Sequence, residues 1–200
     1  MKYSIIYADP PWYYHDFYSS NPTTKGSNGT TGYIGKDGKR HDARPIPYVQ
    51  MKEEELIALP IKNLAEKNCT LFCWATSPKL PEAFRVIDAW GFTYKSMLTW
   101  DKVTHTIATY HNGNAEYLII AGRGQCKPNR YTPTRCQHGL PSAIYSEKRT
   151  KHSVKPEWFV TDYIDKFWPN GNRIELFARR ARPGWDVWGN EAPNSVEGIL

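Results

Sequence analysis

The chain opens on a short apolar run, Tyr3-Ser4-Ile5-Ile6-Tyr7-Ala8, cut off by Asp9-Pro10-Pro11-Trp12. An apolar run of this length between breakers reads as a buried strand. Neither proline can donate to a ladder and each fixes its own φ, so the strand stops at the acid. Further buried strands are predicted at Cys69–Thr76, Phe92–Trp100, Glu116–Ala121 and Arg173–Ala178, with a short extended piece over Trp185–Trp188. Helical periodicity fills the intervals. Met51–Lys67 reads as helical, but Pro60 interrupts it and predicts two short helices or a kink. Leu80, Ala83, Phe84 and Ile87 share one helical face, and Gly91 ends that helix. Val160, Tyr163, Ile164 and Phe167 place a third helix over Pro156–Trp168, where Pro156 suits the first turn. Asn170-Gly171-Asn172 reads as a turn. Strands alternating with helices predict an α/β fold, a mostly parallel central sheet flanked by helices, in one domain spanning residues 1–200.

Two polar stretches lack periodicity, at about residues 13–47 and 122–151. Both exceed an ordinary connection, which points to functional segments. Within the first, Asp37-Gly38 predicts a small hairpin from about Tyr33 to Arg40.

Asp9 thus stands at the carboxyl end of a strand, where open α/β sheets bind their ligands. The motif suits methylation of an exocyclic amino group on a base. Such an amine is a weak nucleophile and must be held in line with an activated methyl group while acceptors take its hydrogen bonds. Asp9 offers one acceptor and the Pro10 carbonyl another. Trp12 offers a flat face for an extruded base, a contact worth roughly 1–3 kcal/mol. The bland alternative is a strand end with a stiff turn and a packing Trp.

Charge adds a partner. The formal net charge is +6 and the pI about 9.1, which favours a polyanion. Between Gly122 and Lys151 there are seven basic residues and one acid, Glu147, a local surplus as large as that of the whole chain. Lys127, Arg130 and Arg135 of this stretch are candidate phosphate contacts. Apolar runs are too short to span a membrane, and the N-terminus leads directly into a strand with no signal peptide, so a cytoplasmic protein is expected. The four cysteines fit a reducing compartment. Cys69 and Cys73 lie in an apolar strand where small thiols are ordinary. Cys126, Cys136 and His138 come nearest to a zinc set but do not complete one, so no metal is expected.

Late in the chain stand His152-Ser153-Val154-Lys155-Pro156, Ile174-Glu175-Leu176-Phe177-Ala178-Arg179-Arg180 and Gly184-Trp185-Asp186-Val187-Trp188-Gly189-Asn190-Glu191. Together with Asp9-Pro10-Pro11-Trp12, and in this order, they resemble the adenosine methyltransferase family. That family includes the catalytic subunit of the messenger-RNA adenosine methylase and bacterial and phage DNA adenine methylases. The match continues through Tyr48 with Met51, Leu71–Ala75, Ala89-Trp90-Gly91-Phe92, Trp100 with Lys102, Glu116–Ile119 and Gly122-Arg123-Gly124. The compact form looks like the phage branch.

The resemblance implies a Rossmann-like methyltransferase fold in permuted order, with the Asp-Pro-Pro-Trp motif first and the cofactor segments later. It implies S-adenosylmethionine as methyl donor and adenine methylated on its N(6) amine, with DNA favoured over RNA. Carried over by position, Asp9 meets both the amine and the cofactor's amino-acid end, and Pro10, Pro11, Trp12 and Tyr48 shape the base pocket. Arg123 aligns with a basic residue that holds the cofactor carboxylate. Arg179, Asn190 and Glu191 align with ribose and adenine contacts, and Glu175 sits nearby on the same strand. Ser153 and Lys155 resemble the His-Pro-x-x-Lys-Pro cofactor segment of permuted amino-methyltransferases. Relatives often pair, which leaves a homodimer or heterodimer open beside an enzyme that acts alone. Arg182 stands where a polar ribose contact is expected, and for Glu175 a buried acid satisfied by an arginine is an equal alternative.

Rival readings are an RNA methylase, a non-catalytic nucleic-acid-binding partner subunit, and a nicotinamide-dependent oxidoreductase. An intact motif argues against the second. The third wants G-x-G-x-x-G after the first strand, and Gly122-Arg123-Gly124 is too short a match.

Overall fold

A computed structural model describes residues 1–14, 32–34, 40–42, 49–106, 113–129, 141–150, 154–193 and 196. It divides into two compact units, one of Met1–Pro10 with Glu54–Leu200 and the other of Pro11–Glu53.

The larger unit is built on a seven-stranded sheet. Its strands are β1 (Tyr3–Ala8), β4 (Ala65–Thr76), β5 (Thr93–Thr106), β6 (Gly113–Arg123), β7 (Ile144–Ser146), β8 (Arg173–Leu176) and β9 (Asp186–Trp188). The order across the sheet is β7-β5-β6-β4-β1-β8-β9. Only β6 runs against the rest: it is antiparallel to both β4 and β5, while the other pairs are parallel. Strand β1 has β4 on one side and β8 on the other. The chain leaves β1 toward β4 and returns on the far side, which makes the end of β1 a topological switch point, where ligand crevices form.

Both faces are covered. On one, Ile5 and Tyr7 of β1, Phe72 and Trp74 of β4, Leu98 and Trp100 of β5 and Leu118 and Ile120 of β6 pack with Phe159, Val160, Tyr163, Ile164 and Phe167. Those last residues lie on a π-helical segment, Phe159–Ile164, that continues as α4 (Asp165–Phe167). Trp74 meets Phe159 edge-on with centroids 4.8 Å apart, and Phe72 meets Trp168 at 4.9 Å. An aromatic side chain of this kind removes roughly 200 Å² from water, worth on the order of 5 kcal/mol as an upper figure. On the other face α3 (Leu80–Ala89) packs against β4 and β5, and Leu71, Cys73, Ile119 and Ala121 are fully buried. Trp90, just past α3, donates Nε1–H to the Leu56 carbonyl at 2.8 Å, tying it to α1 (Glu53–Ala58).

The expected elements are present, with shifted ends. Pro60 does divide two short helices, α1 and α2 (Ile61–Leu64), but the chain then enters β4 at Ala65, two residues before the predicted helical stretch ends at Lys67. Burial explains the switch: Ala65 pairs with Tyr3 and opens the parallel ladder. Strands β5 and β6 run longer than their apolar runs because they pair with each other beyond the core. Gly91 and Gly171 adopt φ +81° and +100°, as their turn positions require.

In the smaller unit, β2 (Gly32–Ile34) and β3 (Arg40–Asp42) pair antiparallel with Tyr33 opposite His41, which is the hairpin expected there. Trp12 bridges Met51 in parallel. The Met51 N–H donates to the Pro11 carbonyl at 2.7 Å and the Tyr13 N–H to Met51 at 2.9 Å.

Candidate active site

Asp9 leaves the end of β1 on the face of Ile5 and Tyr7, since side chains alternate along a strand. Three other charged side chains join it there. Lys155 Nζ lies 3.1 Å from Asp9 Oδ1 and 2.7 Å from Glu116 Oε2. The other Glu116 oxygen, Oε1, takes the Lys102 ammonium at 3.1 Å. Two acids and two ammonium groups thus form a neutral chain, Lys102–Glu116–Lys155–Asp9. Lys155 also sits over the Trp74 ring, 5.2 Å from its centroid, and Trp74 donates its indole N–H to the Tyr7 hydroxyl at 2.7 Å.

Electrostatics follow from burial and pairing. Burial raises the Asp9 pKa above the ordinary carboxylate range, against the pull of Lys155. Its side chain keeps 28 % of its surface, so one side stays open to a ligand. For Glu116 burial acts in the same sense, but Lys155 and Lys102 overcome it and hold the carboxyl below its usual value. Burial alone would lower Lys155; Asp9 and Glu116 instead raise it, and it stays a cation. Burial, with the charges of Glu175 and Asp9, raises the Tyr7 phenol.

Beside β1, the ends of β8 and β9 come to the same level: Ala8 pairs with Leu176, and Leu176 with Trp188. The Ala178 N–H donates to the Trp188 carbonyl at 3.0 Å. A Cβ on Gly189 would lie 2.2 Å from the Ala178 oxygen, so only glycine permits this approach. Arg179 Nε consequently lies 3.8 Å from Glu191 Oε1, and Asn190 is exposed next to them. Glu175 accepts from Arg182 Nε at 2.9 Å, and Arg182 also pairs with Glu157. The arginine-satisfied reading of Glu175 is therefore the observed arrangement, although burial still raises its pKa.

The structure gathers Asp9, Lys155, Glu175, Arg179, Asn190 and Glu191 at the carboxyl edge of the parallel strands. It does not bring Arg123 there. Arg123 pairs with Cys69, whereas Glu116 pairs with Thr76. Seven residues of strand separate the two, roughly 23 Å at about 3.3 Å per residue. Arg123 instead donates to the Lys62 carbonyl at 3.1 Å. Lys127 follows Cys126, whose carbonyl accepts from Thr70 at 3.1 Å, so it also belongs to the far end. Pro11 and Trp12 open the smaller unit. Tyr48, Arg130, Arg135 and Ser153 lie outside the described residues, as do Cys136 and His138.

Sequence reasoning missed Glu116 and Lys102 as site residues. The available signal was a charged side chain in each of two strands otherwise destined for the core. Cys69 and Cys73 are buried thiols, and burial pushes the Cys69 pKa up to about 12, which makes it unreactive. Among the described residues no group of three or more His, Cys, Asp or Glu is placed to hold a metal, and no helix is long and apolar enough to cross a membrane.

An acid at the switch point, a lysine clamped between two carboxylates and a polar rim on the next two strands can be compared with known proteins. The MT-A70 family model matches residues 3–191. The chain belongs to the MT-A70 family. It is 32% identical over 202 residues to the type II methyltransferase M.MunI of a Mycoplasma species, covering 98% of this chain and 81% of that protein. It is 28% identical to the human N(6)-adenine-specific methyltransferase METTL4, over 94% of this chain and 37% of the relative. A Drosophila melanogaster N(6)-adenosine-methyltransferase MT-A70-like protein is 22% identical over 95% of this chain and 27% of its own length. The chain thus spans most of the mycoplasma enzyme and about a third of the other two. The mixed sheet, with one reversed strand among parallel ones, is the Rossmann-like architecture expected for this family.

Proposed function

We propose that this MT-A70 chain transfers a methyl group from S-adenosylmethionine to the exocyclic N(6) amine of adenine in DNA. It is an adenine-specific DNA methyltransferase. The observation that carries the reading is the ion pair between Asp9 of the motif and Lys155. Membership in the family and the likeness to a type II methyltransferase and to METTL4 support DNA adenine as the target.

The donor set suits the cofactor. A zwitterionic amino-acid end needs a cation for its carboxylate and an acid for its ammonium, and Lys155 beside Asp9 supplies both. Arg179, Asn190 and Glu191 at the ends of β8 and β9 offer donors and acceptors for a nucleoside. S-adenosylmethionine, when bound, supplies the electrophilic methyl group. Lys155 takes over the anchoring role assigned to Arg123 from the sequence, because Lys155, and not Arg123, stands beside Asp9. Asp9, paired with Lys155, accepts a hydrogen bond from the amine and orients its lone pair. The amine loses its proton after the new bond has formed, so no base of high pKa is required. The Pro10 carbonyl is the second acceptor. Trp12 is buried, with 5 % exposure, so the base-stacking face expected from the motif is covered in this structure, and for Tyr48 that role rests on the family motif.

The test is transfer of labelled methyl to duplex DNA, single-stranded DNA and RNA in parallel, with Asp9→Ala as control. Label in DNA, recovered as N(6)-methyladenine and reduced at least about 1,000-fold in the variant, is expected. Label confined to RNA would replace the substrate, and full turnover by Asp9→Ala would overturn the site.

A further inference from the structure

Lys102 is the one charged residue, among the described residues, that is buried outright, with 7 % exposure. A lysine in such a place is costly to bury and is tolerated only when it is paired. Its ammonium reaches Glu116, the acid that also holds Lys155. The backbone beside it is strained. Val103 has φ +54°, a left-handed conformation that a β-branched residue rarely adopts. The register between β5 and β6 is broken at the same place, between Asp101 and Thr106.

The strain is held in place from two sides. Asp101 Oδ1 accepts the Val103 N–H at 3.0 Å and the Asn114 amide of β6 at 3.1 Å. From the β7 side the Glu147 N–H donates to the Asp101 carbonyl at 3.0 Å and the Arg149 N–H to that of Lys102 at 3.3 Å. Backbone strain persists only where neighbours over-determine it, and it concentrates at functional sites. Here it sits next to the residue whose ammonium reaches the Glu116 carboxylate.

We infer that Lys102 is a positioning residue for methyl transfer: the strained turn at Val103 aims it at Glu116, and Glu116 in turn holds Lys155 against Asp9. This rests on the methyltransferase reading above. The groups that face Glu116 are Lys102 from β5 and Lys155 from the segment before the π-helix. Asp9 and Tyr7, from β1, lie behind Lys155. Without Lys102, Glu116 keeps one cation instead of two and is protonated at higher pH, which frees Lys155. Lys102 reaches the site through Glu116, so its loss acts on turnover rather than on nucleic-acid affinity.

The experiment compares wild type, Lys102→Met and Lys102→Arg for melting temperature, kcat, KM for DNA and the pH profile of kcat. Lys102→Met leaves Glu116 with Lys155 as its one cation, so some fall in melting temperature accompanies the loss of turnover. Its kcat is expected to fall about tenfold or more near neutrality with KM for DNA unchanged. The acidic limb of its profile moves up, and raising the pH restores part of the activity. Lys102→Arg keeps a cation and leaves that limb where wild type has it. A lower melting temperature with intact kcat, or a loss of kcat independent of pH, overturns the inference. So does a Lys102→Arg protein, whatever Lys102→Met does, whose limb moves off the wild-type position. A wild-type protein that transfers no methyl to any nucleic acid fails the underlying reading instead, which is a separate result.

Discussion

The two edges of the sheet hold similar residue types and do different things with them. At the edge where β1 ends, Lys155 is enclosed by two carboxylates at 3.1 and 2.7 Å with an indole face beneath it. At the other edge Arg123 donates to one backbone carbonyl in an exposed setting, with Lys127 exposed beyond it. A cation becomes a site residue where acids from separate strands converge and water is partly excluded, because charge interactions strengthen as the local dielectric falls. The same cation on an open rim is screened.

The strongest way to break this contrast is Lys155→Met. Cofactor affinity and turnover together should fall about 100-fold, read by binding titration and single-turnover transfer. Stability provides a second readout. Glu116, whose folded pKa lies below its unfolded value, contributes stability above the ordinary carboxylate pKa, and that contribution is lost as pH falls through the folded value. Lys155 holds Glu116 low and opposes the rise at Asp9. Without it both carboxyls rise, and the variant should gain melting temperature relative to wild type on going from about pH 8 to about pH 5. A constant difference across that range would remove Lys155 from the pair.

A smaller effect separates the two ends of the basic stretch. Its late part, Lys148 and Arg149, runs beside Asp101 and Lys102 at the Asp9 edge, while Lys127 lies at the far edge. Replacing Lys148 and Arg149 by Ala should flatten the salt dependence of DNA binding by about one unit of slope per lost phosphate contact. Lys127→Ala should leave the slope unchanged. The reverse result would place the DNA on the other edge. Smallest of all, Arg123→Ala should keep cofactor affinity within about twofold, since the residue loses only an exposed hydrogen bond. A tenfold loss would restore the role first read from its motif position.

Much of this was legible because the information is local. The apolar run into Asp9-Pro10-Pro11-Trp12 specifies a strand and its end, and β1 is found at Tyr3–Ala8. Pro60, Gly91 and Gly171 act on their own φ and on their neighbours, so the breaks they predict are where the chain breaks. Lys155 was read from the family's cofactor segment, and the structure sets it against Asp9.

Strand direction was not legible. An apolar run has the same pattern whichever way it is laid, so β6 was seen as a strand without its reversal. That reversal carries Arg123 to the far edge and brings Glu116, at the beginning of β6, to the Asp9 edge. The partner of a buried charge was hidden for the same reason. Lys102 and Glu116 stand 14 residues apart and meet because β5 and β6 pair. The sequence by itself determined where the first strand ends and which acid follows it, since proline stereochemistry and apolar runs act within a few residues. Only the tertiary structure decided which cations reach that acid, because distance across a sheet depends on strand order and direction, which short-range patterns do not encode.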